Sequence, residues 1–354
     1  MTNDKLAADH LTGLEIRSGG NWDRREFVKG MAALAGSAGL LGYDMKPSSA
    51  EPPPETTRLR LVAVPAICLA PQYVADTFLK AEGFTDIKYV KLDATTGGGG
   101  PLASGAADIS MDAVGPMITA IDAGDPIVAL AGLHLGCYEL FGTERVRAIR
   151  DLKGKTVPID GIGGPQHVFL SAMAAYVGLD PRHDIDWVVH PSAEGMQLFA
   201  DGKADAFLGF PPEPQELRAK KIGRVVVNTV VDKPWSEYYC CMLVGNRGFV
   251  QKHPAATKRA VRALLKATDL CAKQPALAAR MIVEKGFASN LSYALETLNE
   301  LRYDAWRIYN PEDTLRFHAL RLHEVGMLKS SPQKIIAQGT DWRFLNELKR
   351  ELKA

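Results

Sequence analysis

The sequence predicts an α/β protein of two lobes with a helical C-terminal part, and three observations carry that prediction. The first is a stretch that occurs twice. Ile87 to Pro116 reads IKYVKLD, then TTGGGGPLAS, then Gly105-Ala106-Ala107-Asp108 leading into ISMDAVGP, and Ile185 to Pro214 reads IDWVVHP, SAEGMQLFAD, then Gly202-Lys203-Ala204-Asp205 leading into AFLGFPPEP. The separation from the strand's Ile to the Asp of G-x-A-D agrees to within one residue between the copies. The second is the pattern inside each copy: alternating strand, short helix, short apolar strand, Gly/Pro-rich loop, which is a βαβ unit. In open α/β sheets ligands bind outside the carboxyl ends of the strands, so two such units can present their loops to one cleft. The third is the switch to helical periodicity after His253.

Composition narrows the function. The 354 residues are 46% hydrophobic and 23% charged, ordinary for a globular chain long enough for two domains. A formal net charge of +1 gives no electrostatic reason to expect nucleic acid as a partner. The first fifty residues differ from the rest. A polar leader ends in Arg24-Arg25-Glu26-Phe27-Val28-Lys29, the apolar run Gly30 to Gly42 is too short to span a bilayer, and Ser48-Ser49-Ala50 offers small residues for cleavage. This resembles a twin-arginine export signal covering 1–50, with cleavage near Ala50 and a periplasmic location for the mature chain. The five cysteines, Cys68, Cys137, Cys240, Cys241 and Cys271, show no CxxC or Cys/His spacing of a zinc site. They read as buried free thiols with one disulfide as the alternative, and Cys240 and Cys241, adjacent on a strand, are expected on opposite faces.

In chain order, EPPPETT from Glu51 is an extended linker and Leu59 to Val64 the first strand. Pro71 suits the first turn of a helix through Tyr73, Val74, Phe78 and Leu79, with Tyr73 and Phe78 packing in the core. Gly97 to Gly100 precede a short helix, and Gly115-Pro116 and Gly164-Pro165 mark two more helix starts, each with orphan N–H donors for an oxygen of a ligand. A dinucleotide G-x-G-x-x-G reading fails because the glycines at Gly97 to Gly100 are contiguous. Ile127 to Leu133 and Leu135 to Phe141 read as strands, the second carrying Glu139, a carboxylate among apolar neighbours that binds either a ligand donor or an internal Arg or amide. Val146 to Thr156 is a polar crossing into the strand TVPID. His167 reads as a helix-surface residue. Phe210-Pro211-Pro212-Glu213-Pro214 closes the second repeat as a rigid loop, followed by strands at Val225 to Val231 and Tyr238 to Val244. Helices are expected at Pro254–Ala272, Pro275–Lys285, Leu291–Ile308, Glu312–Val325 and Asp341–Leu352, buttressing the first lobe.

Ala70-Pro71-Gln72-Tyr73, Gly105-Ala106-Ala107-Asp108-Ile109, Gly136-Cys137-Tyr138-Glu139-Leu140-Phe141, Asp151-Leu152-Lys153-Gly154-Lys155 and Gly202-Lys203-Ala204-Asp205-Ala206 resemble the periplasmic solute-binding proteins of nitrate, sulfonate, taurine and thiamine-pyrimidine-precursor ABC importers, over roughly Arg58 to Leu328. The resemblance implies a two-lobed periplasmic-binding-protein type II fold with the helical C-terminal part packed on the first lobe. Residues 51–145 and 245–354 would form lobe 1 and residues 146–244 lobe 2, hinged near 143–147 and 244–247. It implies a monomer without cofactor or metal that closes on a small-molecule ligand and docks on an ABC permease with its ATPase. Ligand contacts would lie at Cys68, Leu69 and Gln72, at Gly97, Gly98 and Gly99, at Asp112, and at Gly163, Gly164, Gln166, Phe210 and Glu213. These loops carry no Arg or Lys, which weakens a nitrate or simple sulfonate reading, whereas Asp112, Glu139 and Glu213 favour a solute with N–H donors, an amine or pyrimidine. An exported cofactor-dependent enzyme, or one like the thiamine-pyrimidine synthases that share the fold, is the alternative, and no Ser/His/Asp constellation supports it.

Overall fold

The computed structural model describes residues 51–64, 66–91 and 100–353; the expected leader and Gly97 to Gly99 lie outside the described residues. The strands, in order, are β1 (Arg58–Ala63), β2 (Asp86–Lys91), β3 (Ile109–Ala113), β4 (Ile127–Leu135), β5 (Glu139–Gly142), β6 (Lys155–Ile159), β7 (Ile185–Val189), β8 (Ala206–Gly209), β9 (Arg224–Asn228) and β10 (Tyr239–Asn246). The helices are α1 (Ala70–Val74), α2 (Asp76–Ala81), α3 (Gly100–Ala103), α4 (Val114–Ala123), α5 (Pro165–Tyr176), α6 (Ser192–Ala200), α7 (Glu213–Lys220), α8 (Arg247–Lys252), α9 (Pro254–Lys273), α10 (Pro275–Glu284), α11 (Leu291–Glu300), α12 (Pro311–Glu324), α13 (Pro332–Gly339) and α14 (Arg343–Glu351).

The sequence repeat is a structural repeat. In the first lobe β1 pairs parallel with β2, and β10 runs antiparallel between β3 and β4. In the second, β6 pairs parallel with β7, and β5 runs antiparallel between β8 and β9. The Asp of G-x-A-D joins the two pieces of each lobe. The Asp108 amide donates to Arg60 O at 2.8 Å and its carboxylate accepts the Arg60 amide at 2.8 Å. The Asp205 amide donates to Thr156 O at 2.9 Å and its carboxylate accepts the Thr156 amide at 3.0 Å. The leading glycines, Gly105 and Gly202, have φ of +74° and +71°, a left-handed turn that a side chain would strain. That requirement explains why both phrases begin with Gly.

The chain crosses between lobes twice, and each crossing delivers the antiparallel strand of the sheet it enters. β5 follows β4 yet pairs with β8 and β9; β10 follows β9 yet pairs with β3 and β4. Thr229 ties the two connections together. Its hydroxyl accepts the Cys137 and Tyr138 amides at 3.1 and 3.0 Å and donates to Tyr138 O at 2.8 Å. Gly136, at φ +50°, is the other requirement of this corner, because a Cβ there would lie 2.4 Å from Thr229 O. The strand expected from Leu135 to Phe141 is therefore interrupted: Leu135 ends β4, and β5 begins at Glu139.

α9 buries Val261, Leu264, Leu265, Thr268 and Cys271 against α1 and α2, each fully buried Leu contributing about 2 kcal/mol. α11 and α12 reach further, to α7 and to α5 in the second lobe. The helix expected over Leu291–Ile308 stops at Glu300. Tertiary contacts win there: Tyr303 and Trp306 turn fully inward, donating to Cys68 O at 2.9 Å and Asp269 Oδ1 at 3.1 Å. α7 begins inside the loop expected through Pro214. α8 and α13 were not expected, although Ser331-Pro332 is a helix-start signal, the Ser331 hydroxyl accepting from the Lys334 amide.

Candidate ligand-binding cleft

On the first-lobe side, the carboxyl end of β1 runs into Cys68, Leu69 and α1. Tyr73 closes this turn by accepting the Val64 amide at 2.8 Å and donating to Val64 O. Gln72, expected as a ligand contact, is committed internally. Its amide nitrogen donates to Val62 O at 2.7 Å, and its oxygen accepts Ser110 Oγ at 3.0 Å and the Met111 amide at 2.9 Å. It locks β1 to β3, with one of its two amide N–H donors so engaged. Leu69 packs in the core. Asp112, at the end of β3, is different. Oδ1 accepts the neighbouring Ala113 amide at 2.8 Å, whereas Oδ2 is buried without a partner. Burial pushes this carboxyl up to about 6. A buried carboxylate oxygen with nothing to accept is costly and calls for a donor.

On the second-lobe side, Gly163, Gly164, Gln166, Phe210 and Glu213 gather at the carboxyl ends of β6 and β8, joined by two residues the sequence did not single out, Asp160 and Ser192. Gln166 directs its amide nitrogen to Asp160 at 2.8 and 3.0 Å and its oxygen to Ser192 Oγ at 3.1 Å. Ser192 Oγ bonds Glu213 Oε1, and Glu213 Oε2 accepts the Phe210 amide at 3.1 Å. Burial pushes the Glu213 carboxyl up to about 7, against the hydrogen bonds it accepts from the Ser192 hydroxyl and the Phe210 amide. Glu213 is thus a strut of the loop before α7. A Cβ on Gly164 would lie 2.6 Å from Asp160 Oδ1 and 3.0 Å from Gly161 O, so a side chain there would displace the Asp160 carboxylate. His167, expected on a helix surface, is buried; its Nδ1 accepts the Gly163 amide at 3.1 Å, and burial lowers its proton affinity.

The two sides meet. A Cβ on Gly115 of α4 would lie 3.0 Å from Val168 of α5, so the first turns of these helices touch and a side chain there would press Val168 outward by a few tenths of an ångström. Tyr138, on the first crossing, packs its ring 4.6 Å from Phe169 and 6.3 Å from Phe210, an aromatic wall assembled from three segments distant in sequence. Of the two alternatives for Glu139, the structure has the internal one. Glu139 pairs with Arg218 of α7, whose guanidinium also reaches Glu296 at 2.7 Å and Glu300 at 2.8 Å on α11. Burial raises the Glu139 carboxyl, and Arg218 opposes that rise. The loop holding Glu213 therefore leads directly into a helix that is latched by ion pairs to the C-terminal helices.

The cysteines do not follow the strand alternation expected of them. All five are buried and free. β10 carries register irregularities on both sides of Cys241, its partner His134 following directly on from the pairing of Tyr239 with Leu135. Cys240 is the extra residue of this bulge, and the Cys240 and Cys241 sulfurs come to 3.9 Å of each other. Cys68, His134, Cys137 and Cys241, scattered in sequence, thus form one buried cluster with donor atoms within 4.8 Å of one another. Only His134 and Cys137, three positions apart, gave a local hint of it.

A surface cavity of about 260 Å³ lies elsewhere, at the amino end of β1 between Arg58, Arg60, Asn246, Lys252 and His253. It is at the wrong end of the strands for the cleft.

The sequence profile of the NMT1-like family matches residues 52–284. No curated protein matches the sequence. Among solved structures, the periplasmic nitrate-binding protein of Synechocystis PCC 6803 is similar with a TM-score of 0.68 and 16% identity, over 85% of this chain and 90% of that one. The alkanesulfonate-binding protein of Xanthomonas axonopodis pv. citri, bound to MOPS, gives 0.62 and 18%, over 83% and 100%. The periplasmic aliphatic sulphonate-binding protein of Escherichia coli gives 0.62 and 17%, over 81% and 94%. At these identities the likeness is one of fold.

Proposed function

The chain belongs to the NMT1-like family, and from that membership together with the cleft we propose that it is the solute-binding component of an ABC importer. It captures a small polar organic solute between its lobes, closes, and docks as a monomer on a permease with its ATPase. No covalent step is needed. The reading includes export through the leader at 1–50 and a periplasmic location, supported by the leader's sequence. It also draws the lobe boundaries at the connections preceding β5 and β10, near 136–138 and 229–238, which refines those expected at 145 and 244.

One observation carries the assignment: Asp112 Oδ2, buried and without a partner at the carboxyl end of β3. The proposed contact positions Cys68, Asp112, Gly163, Gly164, Phe210 and Glu213 include no Arg or Lys. The named structural relatives bind nitrate and sulfonates; here the acidic contact favours a solute that brings N–H donors, an amine, a taurine-like zwitterion or a pyrimidine. Closure is favoured when the solute's donor meets Asp112 and its body meets Tyr138 and Phe210, and the Arg218 ion pairs hold α7 against α11. Thermal unfolding of the full chain against amines, taurine, sulfonates, nitrate, carboxylates and pyrimidines tests this. A solute at a hundredfold over its Kd adds about 2.7 kcal/mol. Stabilisation by donor-bearing solutes is expected; stabilisation by nitrate alone would overturn the solute class.

A further inference from the structure

We propose that Cys68, His134, Cys137 and Cys241 form a binding site for a thiophilic divalent cation of the Zn²⁺ class, placed where the two interlobe crossings enter the first lobe. This inference stands on the cluster alone and is independent of which solute the cleft takes.

The donor set is the first support. Three thiols and one imidazole, all buried, have their donor atoms within 4.8 Å of one another. Tetrahedral zinc with sulfur at about 2.3 Å and nitrogen at about 2.0 Å needs donors about 3.7 Å apart. The contraction required is about 1 Å, within reach of side chains carried on four different segments. The second support is the histidine's orientation. His134 is fully buried, its Nδ1 lies 3.1 Å from Gly136 O, and its Nε2 is buried without a partner. A carbonyl that takes the Nδ1 proton fixes the tautomer with a lone pair on Nε2, the usual outer contact of a metal-binding imidazole. Charge selects the cation. Three thiolates and a neutral imidazole leave one net negative charge around Zn²⁺ and two around Cu⁺, and the larger buried charge is harder to hold.

The location gives the cation a task. Cys68 follows β1, His134 is on β4, Cys137 is in the connection to β5, and Cys241 is on β10. A bound ion would fasten both crossings to the first-lobe sheet at the base of the cleft, fixing the pivot about which the lobes close. Cys240, with its sulfur 2.7 Å from that of Cys137, is the competitor for Cys137.

The test is cobalt titration of the reduced full-length chain, prepared without a metal-binding tag. One Co²⁺ per chain is expected, with sulfur-to-cobalt charge-transfer absorption and the intense visible bands of tetrahedral coordination, displaced by Zn²⁺. Binding should tighten with pH as thiol protons are released. Cys68→Ser and Cys241→Ser should each weaken Zn²⁺ binding at least about tenfold, His134→Gln should shift the cobalt bands, and Cys271→Ser, a buried thiol outside the cluster, should change nothing. The proposal is overturned if the folded, reduced wild-type chain takes up no Co²⁺. It is equally overturned if the Cys68/Cys241 double variant binds as wild type does, if Cu⁺ binds and Zn²⁺ does not, or if a Cys137–Cys240 disulfide persists in the folded chain under reductant.

Discussion

Replacing Arg218 with Ala removes, among the described residues, the only cation paired with Glu139, whose side chain is 4% exposed, and leaves that carboxylate with one long side-chain contact, Asn228 Nδ2 at 3.4 Å. Breaking a buried pair on one side costs about 3–5 kcal/mol. Proton uptake sets a ceiling. Burial already raises Glu139 above its ordinary 4.5, and Arg218 is what restrains the rise. Without Arg218 the carboxyl can escape by protonation, and holding it protonated at pH 7 from 4.5 costs about 3 kcal/mol, at pH 5 under about 1 kcal/mol. A carboxyl raised in the folded state is tolerated fully below its unfolded value and penalises folding as pH rises through the folded value. The Arg218→Ala loss should therefore be about 3 kcal/mol at pH 7, a Tm fall of roughly 5–10 °C, and should shrink severalfold at pH 5. Arg218→Met combined with Glu139→Gln should recover most of it, since no charge is left buried. The control is Arg316→Ala, an exposed pair with Glu312 on α12, expected to change stability by under about 1 kcal/mol. If Arg218→Ala and Arg316→Ala melt alike at pH 7, the reasoning about the latch is wrong.

Three further outcomes follow from the same geometry. Asp112→Asn should stabilise the solute-free chain at pH 8 by roughly 2–3 kcal/mol, because a carboxyl raised to about 6 penalises folding as pH rises through that value; differential scanning calorimetry at pH 8 and pH 4 checks that the gain disappears in acid. Gly115→Ala should leave the melting temperature near that of wild type, helix propensity favouring Ala by up to about 1 kcal/mol, while weakening solute binding by roughly tenfold through the wedge against Val168; Val168→Ala in the same chain should restore affinity. Asp108→Ala and Asp205→Ala should each cost roughly 2–3 kcal/mol in urea unfolding, since each strips a strand amide of its acceptor; a loss in one and none in the other would contradict their equivalence.

The repeat was legible because its Asp and Gly act locally: a left-handed turn needs Gly105 and Gly202, and the carboxylate three residues on reaches a neighbouring strand in both lobes. The helical C-terminal part was legible from periodicity, except at Glu300, where the burial of Tyr303 and Trp306 overrides it. Site chemistry was less legible, since it depends on partners distant in sequence. Glu139 finds Arg218, seventy-nine positions away; Gln72 bridges β1 and β3; Asp160 and Ser192 enter only through Gln166 and Glu213. The cysteine cluster was hidden by a bulge, which cancels the alternation that strand geometry dictates for Cys240 and Cys241.

The central claim is a solute held between the lobes against Asp112. Isothermal titration calorimetry of the best-stabilising solute from the thermal panel into wild type and Asp112→Asn addresses it directly. At pH 6 the wild type should bind one solute per chain and release protons to the buffer as a cationic N–H donor draws Asp112 into its charged form, and Asp112→Asn should lose at least about tenfold in affinity together with the proton release. Equal affinity in the two proteins, or no panel member that binds the folded chain, would contradict the account.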